Sequence, residues 1–175
     1  KLDLIYPEDM SDKRYPCIVW ICGGGWMRMD KSAHLSYLSK LAHQGFVVCS
    51  VEYRTSNEGC YPIQIEDVKA AIRYLKAHAD RYRIDKEHFG AMGESAGGFL
   101  TCMAALDHDK ARDVGEYLEE SSSIQAACPW YPPTNLSTFK YKDAEECAAS
   151  MESLLLGYNI MRNIEEAYNS SPVSK

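Results

Sequence analysis

The sequence predicts an α/β domain built on a doubly wound, mostly parallel sheet. Three observations carry this. Residues 17–22 (C-I-V-W-I-C), 46–51 and 124–130 are short apolar runs without alternation, the pattern of strands covered on both faces. Amphipathic stretches separate these runs, and strand–helix–strand alternation of this kind implies a parallel sheet. Glycine-rich turns follow two of the strands, at the strand ends where such sheets bind ligands.

Taken in order, residues 2–6 read as a first strand and residues 17–22 as a buried one. Residues 32–44 have Leu35, Leu38 and Ala42 at helical spacing, and Gly45 supplies a C-terminal stop before the strand at 46–51. Residues 63–79 form the clearest helix, with Ile65, Val68, Ile72 and Leu75 in one stripe and Pro62 at its start. A short strand at 88–93, a helix at 95–106 and a fourth buried strand at 124–130 complete the pattern.

The chain has 175 residues, which fits a single domain over 1–175. Hydrophobic residues make up 46% and charged residues 25%, the balance of a folded globular protein rather than a disordered one. The net charge is −6 and the basic residues form no stripe, so no nucleic-acid partner is expected. No apolar run is long enough for a membrane span. The 7 cysteines lack C-x-x-C spacing and several lie in strand runs. They read as buried free thiols of a reducing compartment, which makes a cytoplasmic location the expectation and a metal site unexpected. Residue 1 is Lys, so the native start stays open.

Two motifs carry chemistry. Gly93-Glu94-Ser95-Ala96-Gly97-Gly98 contains G-x-S-x-G between a strand and a helix. That turn lifts the serine oxygen to the top of the sheet, beside the free N–H groups of a helix N-terminus. Cys22-Gly23-Gly24-Gly25-Trp26 follows the strand at 17–22. A glycine run there lets backbone N–H groups face a substrate oxygen, each worth roughly 3 kcal/mol in a transition state.

With these motifs, the chain resembles the hormone-sensitive-lipase-like and acetyl- or feruloyl-esterase-like branch of the α/β-hydrolases. That branch carries an H-G-G-G-W or H-G-G-G-F loop, a D-Y-R segment and G-[DES]-S-A-G-G. The counterparts here are residues 22–26, Val51-Glu52-Tyr53-Arg54 and residues 93–98. Residues 62–72, 83–88, 153–157 and 171–173 also match the family's course. The resemblance implies that Ser95 is the nucleophile and that the N–H groups of Gly24, Gly25 and Ala96 form the oxyanion hole. It implies a carboxylic-ester hydrolase acting through an acyl-enzyme on a small-molecule ester, with a short acyl group or an acetylated carbohydrate as substrate. No cofactor or metal is implied. Trp26, Glu94 and Tyr131 are expected to line a modest apolar substrate pocket. Cys22 replaces the usual His, which bears on loop geometry more than on chemistry, and Cys22 is not expected to be a nucleophile because it lacks a nearby candidate base.

The triad order of this fold is Ser, then Asp or Glu, then His. His108, the one histidine after Ser95, lies 13 residues on, or on the order of 20 Å along a helix. His43, His78 and His88 are expected on the far side of the sheet; His34 is expected near a helix start on the correct face, at a surface or capping position rather than as a substitute base. The expectation is therefore a domain incomplete at its C-terminal end, lacking its last strand–helix units and on the order of 60 residues. Its strand at 124–130 would then be an exposed edge, inviting a homodimer. Two other readings stand beside the esterase: a non-catalytic binding protein on the same scaffold, and a serine peptidase of the same fold.

Overall fold

The computed structural model describes residues 1–8 and 13–175. Strand β1 (Leu2–Ile5) pairs antiparallel with β3 (Val47–Val51). Strand β2 (Tyr15–Ile21) pairs parallel with β3 on one side and with β4 (Ile84–Glu94) on the other. Strand β5 (Ala126–Trp130) pairs parallel with β4, giving the order β1-β3-β2-β4-β5. The sheet is mostly parallel, as the sequence predicts.

The apolar strands sort their side chains by the two-residue repeat of the pleat. Cys17, Val19 and Ile21 face a large core shared with α2 (Ile63–Ala77) and α4 (Ala96–Leu106). Trp20 and Val48 face the opposite side, where they meet Leu38 and Ala42 of α1 (Leu35–His43). The expected stripe of α2 holds: Ile65, Val68, Ile72 and Leu75 are fully buried. In α1 the stripe is shorter than expected. Leu35 is 39% exposed because the helix begins only there.

The fourth strand is longer than residues 88–93. Tyr15 pairs with Ile84 and Cys17 with Phe89, so residues 85–88 bulge out of the ladder. The reading of β5 as a buried strand is corrected. Ala126, Ala127 and Cys128 are exposed although α4 packs against β5, because β4 is its sole partner in the sheet. An apolar depression of about 370 Å³, lined in part by Ile18, Phe46, Met92 and Cys128, marks the same uncovered face.

The 131–175 segment is helical rather than extended. Helix α3 (Ala79–Tyr82) precedes β4, and α5 (Ala144–Ala149), α6 (Met151–Leu156) and α7 (Ile164–Asn169) follow β5. Leu136, Cys147, Leu155, Ile160 and Ala167 pack into the large core, so this segment folds back over α4.

The polar side of α2 also works structurally. Lys69 Nζ donates to the Asp107 carbonyl at 2.7 Å, and Lys76 Nζ to the Ser123 carbonyl at 2.7 Å. Fully buried Arg73 pairs with Asp113 at 2.8 Å and donates to the carbonyls of Val114 and Glu116. Three cations thus hold the irregular 107–123 loop against the helix. Removing a buried cation strands its partner, which costs about 3–5 kcal/mol. Arg73→Ala is expected to lose stability of that order in urea titration, with Lys110→Ala, 89% exposed, as the near-neutral control.

The cysteines divide by depth. Cys17, Cys22, Cys49 and Cys147 are buried, while Cys60 and Cys128 are exposed. Burial pushes the Cys17 thiol up to about 12 and raises Cys22 and Cys49 as well. A raised thiol pKa leaves little thiolate at pH 8, and thiolate is the reactive form. With an aromatic disulfide reagent at pH 8, Cys60 and Cys128 are expected to label fast and Cys17 and Cys49 only on unfolding, as peptide mapping will show.

Candidate functional site

Ser95 stands between β4 and α4, where the sequence places it. Its backbone has φ 51° and ψ −118°, outside the regions open to an L residue at low cost. Holding one residue there costs of order 1–3 kcal/mol, supplied by the surrounding structure. The restraint is visible on both sides of the residue. The Ser95 N–H donates to the Trp130 carbonyl at 2.9 Å, and its carbonyl accepts from the Phe99 N–H at 2.9 Å. The side chain is half-buried and caps nothing, so its hydroxyl is not spent on the helix.

The turn depends on close backbone contact. A Cβ on Gly97 would stand 1.9 Å from the Ile21 carbonyl oxygen, and one on Gly93 2.6 Å from it. Glycine lets the start of α4 press against the end of β2. That contact carries the glycine loop to Ser95: a Cβ on Gly23 would lie 3.3 Å from the Ser95 Cβ. Gly24 and Gly25 have φ 129° and 60°, and Trp26 follows at 58°.

The N–H groups of Gly24, Gly25 and Ala96 donate no hydrogen bond among the described residues. For Ala96 the reason is general, since the first N–H groups of a helix have no partner within it. The loop itself is well tied. The Gly24 carbonyl accepts from the N–H groups of Met27 and Arg28 at 3.2 and 3.1 Å. The Trp26 carbonyl accepts from Ser56, and buried Tyr53 donates its hydroxyl to the Cys22 carbonyl at 2.9 Å. Burial pushes the Tyr53 hydroxyl pKa well up, so it stays a donor. Next to it, Arg54 grips Asp67 of α2 with its guanidinium at 2.7 and 2.9 Å. The sequence carried Tyr53 and Arg54 as a motif without a task; the structure gives both one.

Trp26 is corrected as a pocket residue. It is 2% exposed, with its ring edge-on to Phe99 at 5.3 Å, because the left-handed turn at 25–26 aims it into the core. Glu94 and Tyr131 do meet: the Tyr131 hydroxyl donates to Glu94 Oε2, and Tyr131 is 69% exposed. The carboxylate raises the pKa of the Tyr131 hydroxyl. Two sizeable depressions lie elsewhere, the one at the sheet face and another of about 910 Å³ beside β1 and α2. Neither includes Ser95 or the glycine loop.

His34 lies at the surface at the start of α1, as expected. It occupies the position before α1 but makes no capping bond. Its Nε2 bonds Glu94 Oε1 at 2.9 Å, and Cys22 lies with them, the three donor atoms within 4.8 Å of one another. Cys22 therefore does have a base beside it, supplied across the fold from a segment 12 residues on. The remaining histidines sit away from Ser95. His43 pairs with Glu8, His78 ends α2, His88 pairs with Asp85 in the bulge, and His108 follows the far end of α4.

Sheet order, the strand–turn–helix at Ser95 and the adjoining glycine loop define an α/β-hydrolase fold. The chain belongs to the BD-FAE family, whose profile matches residues 2–175. It is similar to the esterase LipC of Mycobacterium tuberculosis, 28% identical over 99% of this chain and 44% of that protein. It is similar in structure to a bifunctional GH43-CE protein of Bacteroides eggerthii, with TM-score 0.89 and 28% identity over 99% of this chain and 24% of the other. A truncated carbohydrate esterase from gut microbiota gives TM-score 0.86 and 29% identity over 99% of this chain and 66% of the other. The chain spans less than half the length of the curated relatives it matches. Among the described residues, no helix is long and apolar enough to cross a membrane.

The anchor at Cys22 is testable. Tyr53→Phe leaves a buried carbonyl without its donor, and is expected to cost about 1–3 kcal/mol in urea titration with the fold retained by circular dichroism.

Proposed function

We propose that this chain carries the nucleophile and oxyanion hole of a serine carboxylic-ester hydrolase. One observation carries the reading: Ser95 is held at φ 51° with a hydroxyl that caps nothing, against a glycine loop whose N–H groups have no acceptor among the described residues. Backbone strain at a residue whose side chain caps no helix is a mark of a functional position.

In this reading Ser95 Oγ attacks the ester carbonyl carbon and passes its proton to a base. The carbonyl oxygen becomes an oxyanion, taken by the N–H groups of Gly24, Gly25 and Ala96. The alcohol leaves with the proton, and water then releases the acid from the acyl-enzyme. In the triad order of this fold the acid and then the histidine follow the serine. No metal or cofactor takes part in these steps. Glu94 and Tyr131, joined at the rim beside Ser95, are positioned to meet the alcohol side of the substrate. The names of the similar proteins, which include an acetyl esterase of Salmonella typhi and a carbohydrate esterase, support a short acyl group on a carbohydrate alcohol. The closeness of Met151 supports a short acyl group too: its Sδ would lie 2.1 Å from a Cβ on Gly25, which narrows the space above the loop.

The test is hydrolysis of p-nitrophenyl acetate and of an acetylated sugar, with a fluorophosphonate ester as covalent probe. Ser95→Ala is expected to lower kcat by at least about 10⁴-fold, and the phosphonyl adduct is expected on the peptide containing Ser95. Unchanged turnover in Ser95→Ala, or an adduct on another residue, would remove Ser95 from the reaction.

A further inference from the structure

In the cluster of Cys22, His34 and Glu94, Cys22 and His34 have no part in the reaction steps above, and Glu94 enters them only at the rim. The cluster's three residues come from three segments: the end of β2, the turn before α1 and the end of β4. Their donor atoms, a thiol sulfur, an imidazole nitrogen and a carboxylate oxygen, lie within 4.8 Å of one another. We propose that these three side chains form a binding site for a divalent transition metal ion of the zinc, cobalt and nickel class.

Several observations support it independently of the distances. His34 is a non-glycine residue in the left-handed region, at φ 65° and ψ 10°, and gains no capping bond for it. That conformation turns the imidazole across the strand ends to the carboxylate. The Trp20 ring meets the imidazole edge-on at 5.7 Å and fixes its plane. Tyr131 holds the second oxygen of Glu94, leaving Oε1 toward His34. Metal sites characteristically have such outer partners, which orient the ligands. Cys22 is 6% exposed and its sulfur faces this pair, so the cluster has one buried end and one open to solvent.

The donor set selects the ion. One sulfur, one nitrogen and one oxygen suit zinc, cobalt and nickel, whereas magnesium and calcium prefer oxygen alone. Three protein donors with an open side match a zinc site that keeps a fourth position for water or an exchangeable ligand. The proton now shared by His34 and Glu94 stands where the ion would bind. Sequence spacing hides the site, because positions 22, 34 and 94 form no ligand motif and meet only when β2 and β4 align.

Titration with Co²⁺, followed by absorbance and by thermal melting, tests the proposal without reference to ester hydrolysis. The purified protein, first stripped with a chelator, is expected to bind one Co²⁺ per chain with a sulfur-to-cobalt charge-transfer band that Zn²⁺ abolishes. Cys22→Ser is expected to lose that band. His34→Ala, at an exposed side chain that leaves folding intact, is expected to weaken binding by at least about tenfold, and Tyr131→Phe by about tenfold. Zn²⁺ is expected to raise Tm in the unsubstituted protein and not in His34→Ala. Absence of the charge-transfer band, or Co²⁺ binding equally tight in His34→Ala, would overturn the site. Loss of activity in Ser95→Ala with the band retained would leave it standing.

Discussion

No side chain fits between residue 97 and the end of β2. The Gly97 position lies so close to the Ile21 carbonyl that a methyl group there would overlap it at 1.9 Å. This contact between a helix start and a neighbouring strand sets the rest of the site. It draws α4 down onto the sheet, which forces the sharp turn at Ser95 and its positive φ. It also fixes the distance between the serine and the glycine loop, because that loop continues directly from β2. Packing at this point is therefore steric and short-ranged, and it tolerates almost no relaxation.

A second layer of restraint holds the loop from behind. Tyr53 and Arg54 leave β3 together and face different ways, one to the Cys22 carbonyl and the other to Asp67. The strand β3 thereby links the loop to α2, whose buried cations in turn clasp the 107–123 segment. The site rests on a chain of hydrogen bonds running from β2 through β3 to α2. Its own N–H groups need take no part in that chain.

What the sequence made legible follows from how local each signal is. The strands at 17–22 and 46–51, the stripe of α2 and the turn at Ser95 are written in adjacent residues, and all stand as read. Periodicity shows that a run is apolar but not what lies across from it. Thus 124–130 reads as buried, yet Ala126–Trp130 is an edge with three exposed residues. The bulge at 85–88 was invisible because no apolar pattern marks it. Trp26 misled because a tryptophan after glycines looks like a pocket wall, while its inward aim is set by a backbone angle no composition reveals. The meeting of His34 with Glu94 joins positions 60 apart, and only the pairing of β2 with β4 brings it about.

The tie from Tyr53 ends on the main chain of residue 22, not on its side chain. A carbonyl oxygen is the same in every amino acid, so the loop would be anchored as firmly by histidine, cysteine or serine at that place. The tie itself therefore makes no demand on the side chain of residue 22, which lies buried beside His34 and Glu94. Such a position can exchange one functional group for another at little risk to the scaffold. In this chain the main-chain-to-tyrosine mooring leaves the identity of that side chain open, beside the turn that holds Ser95.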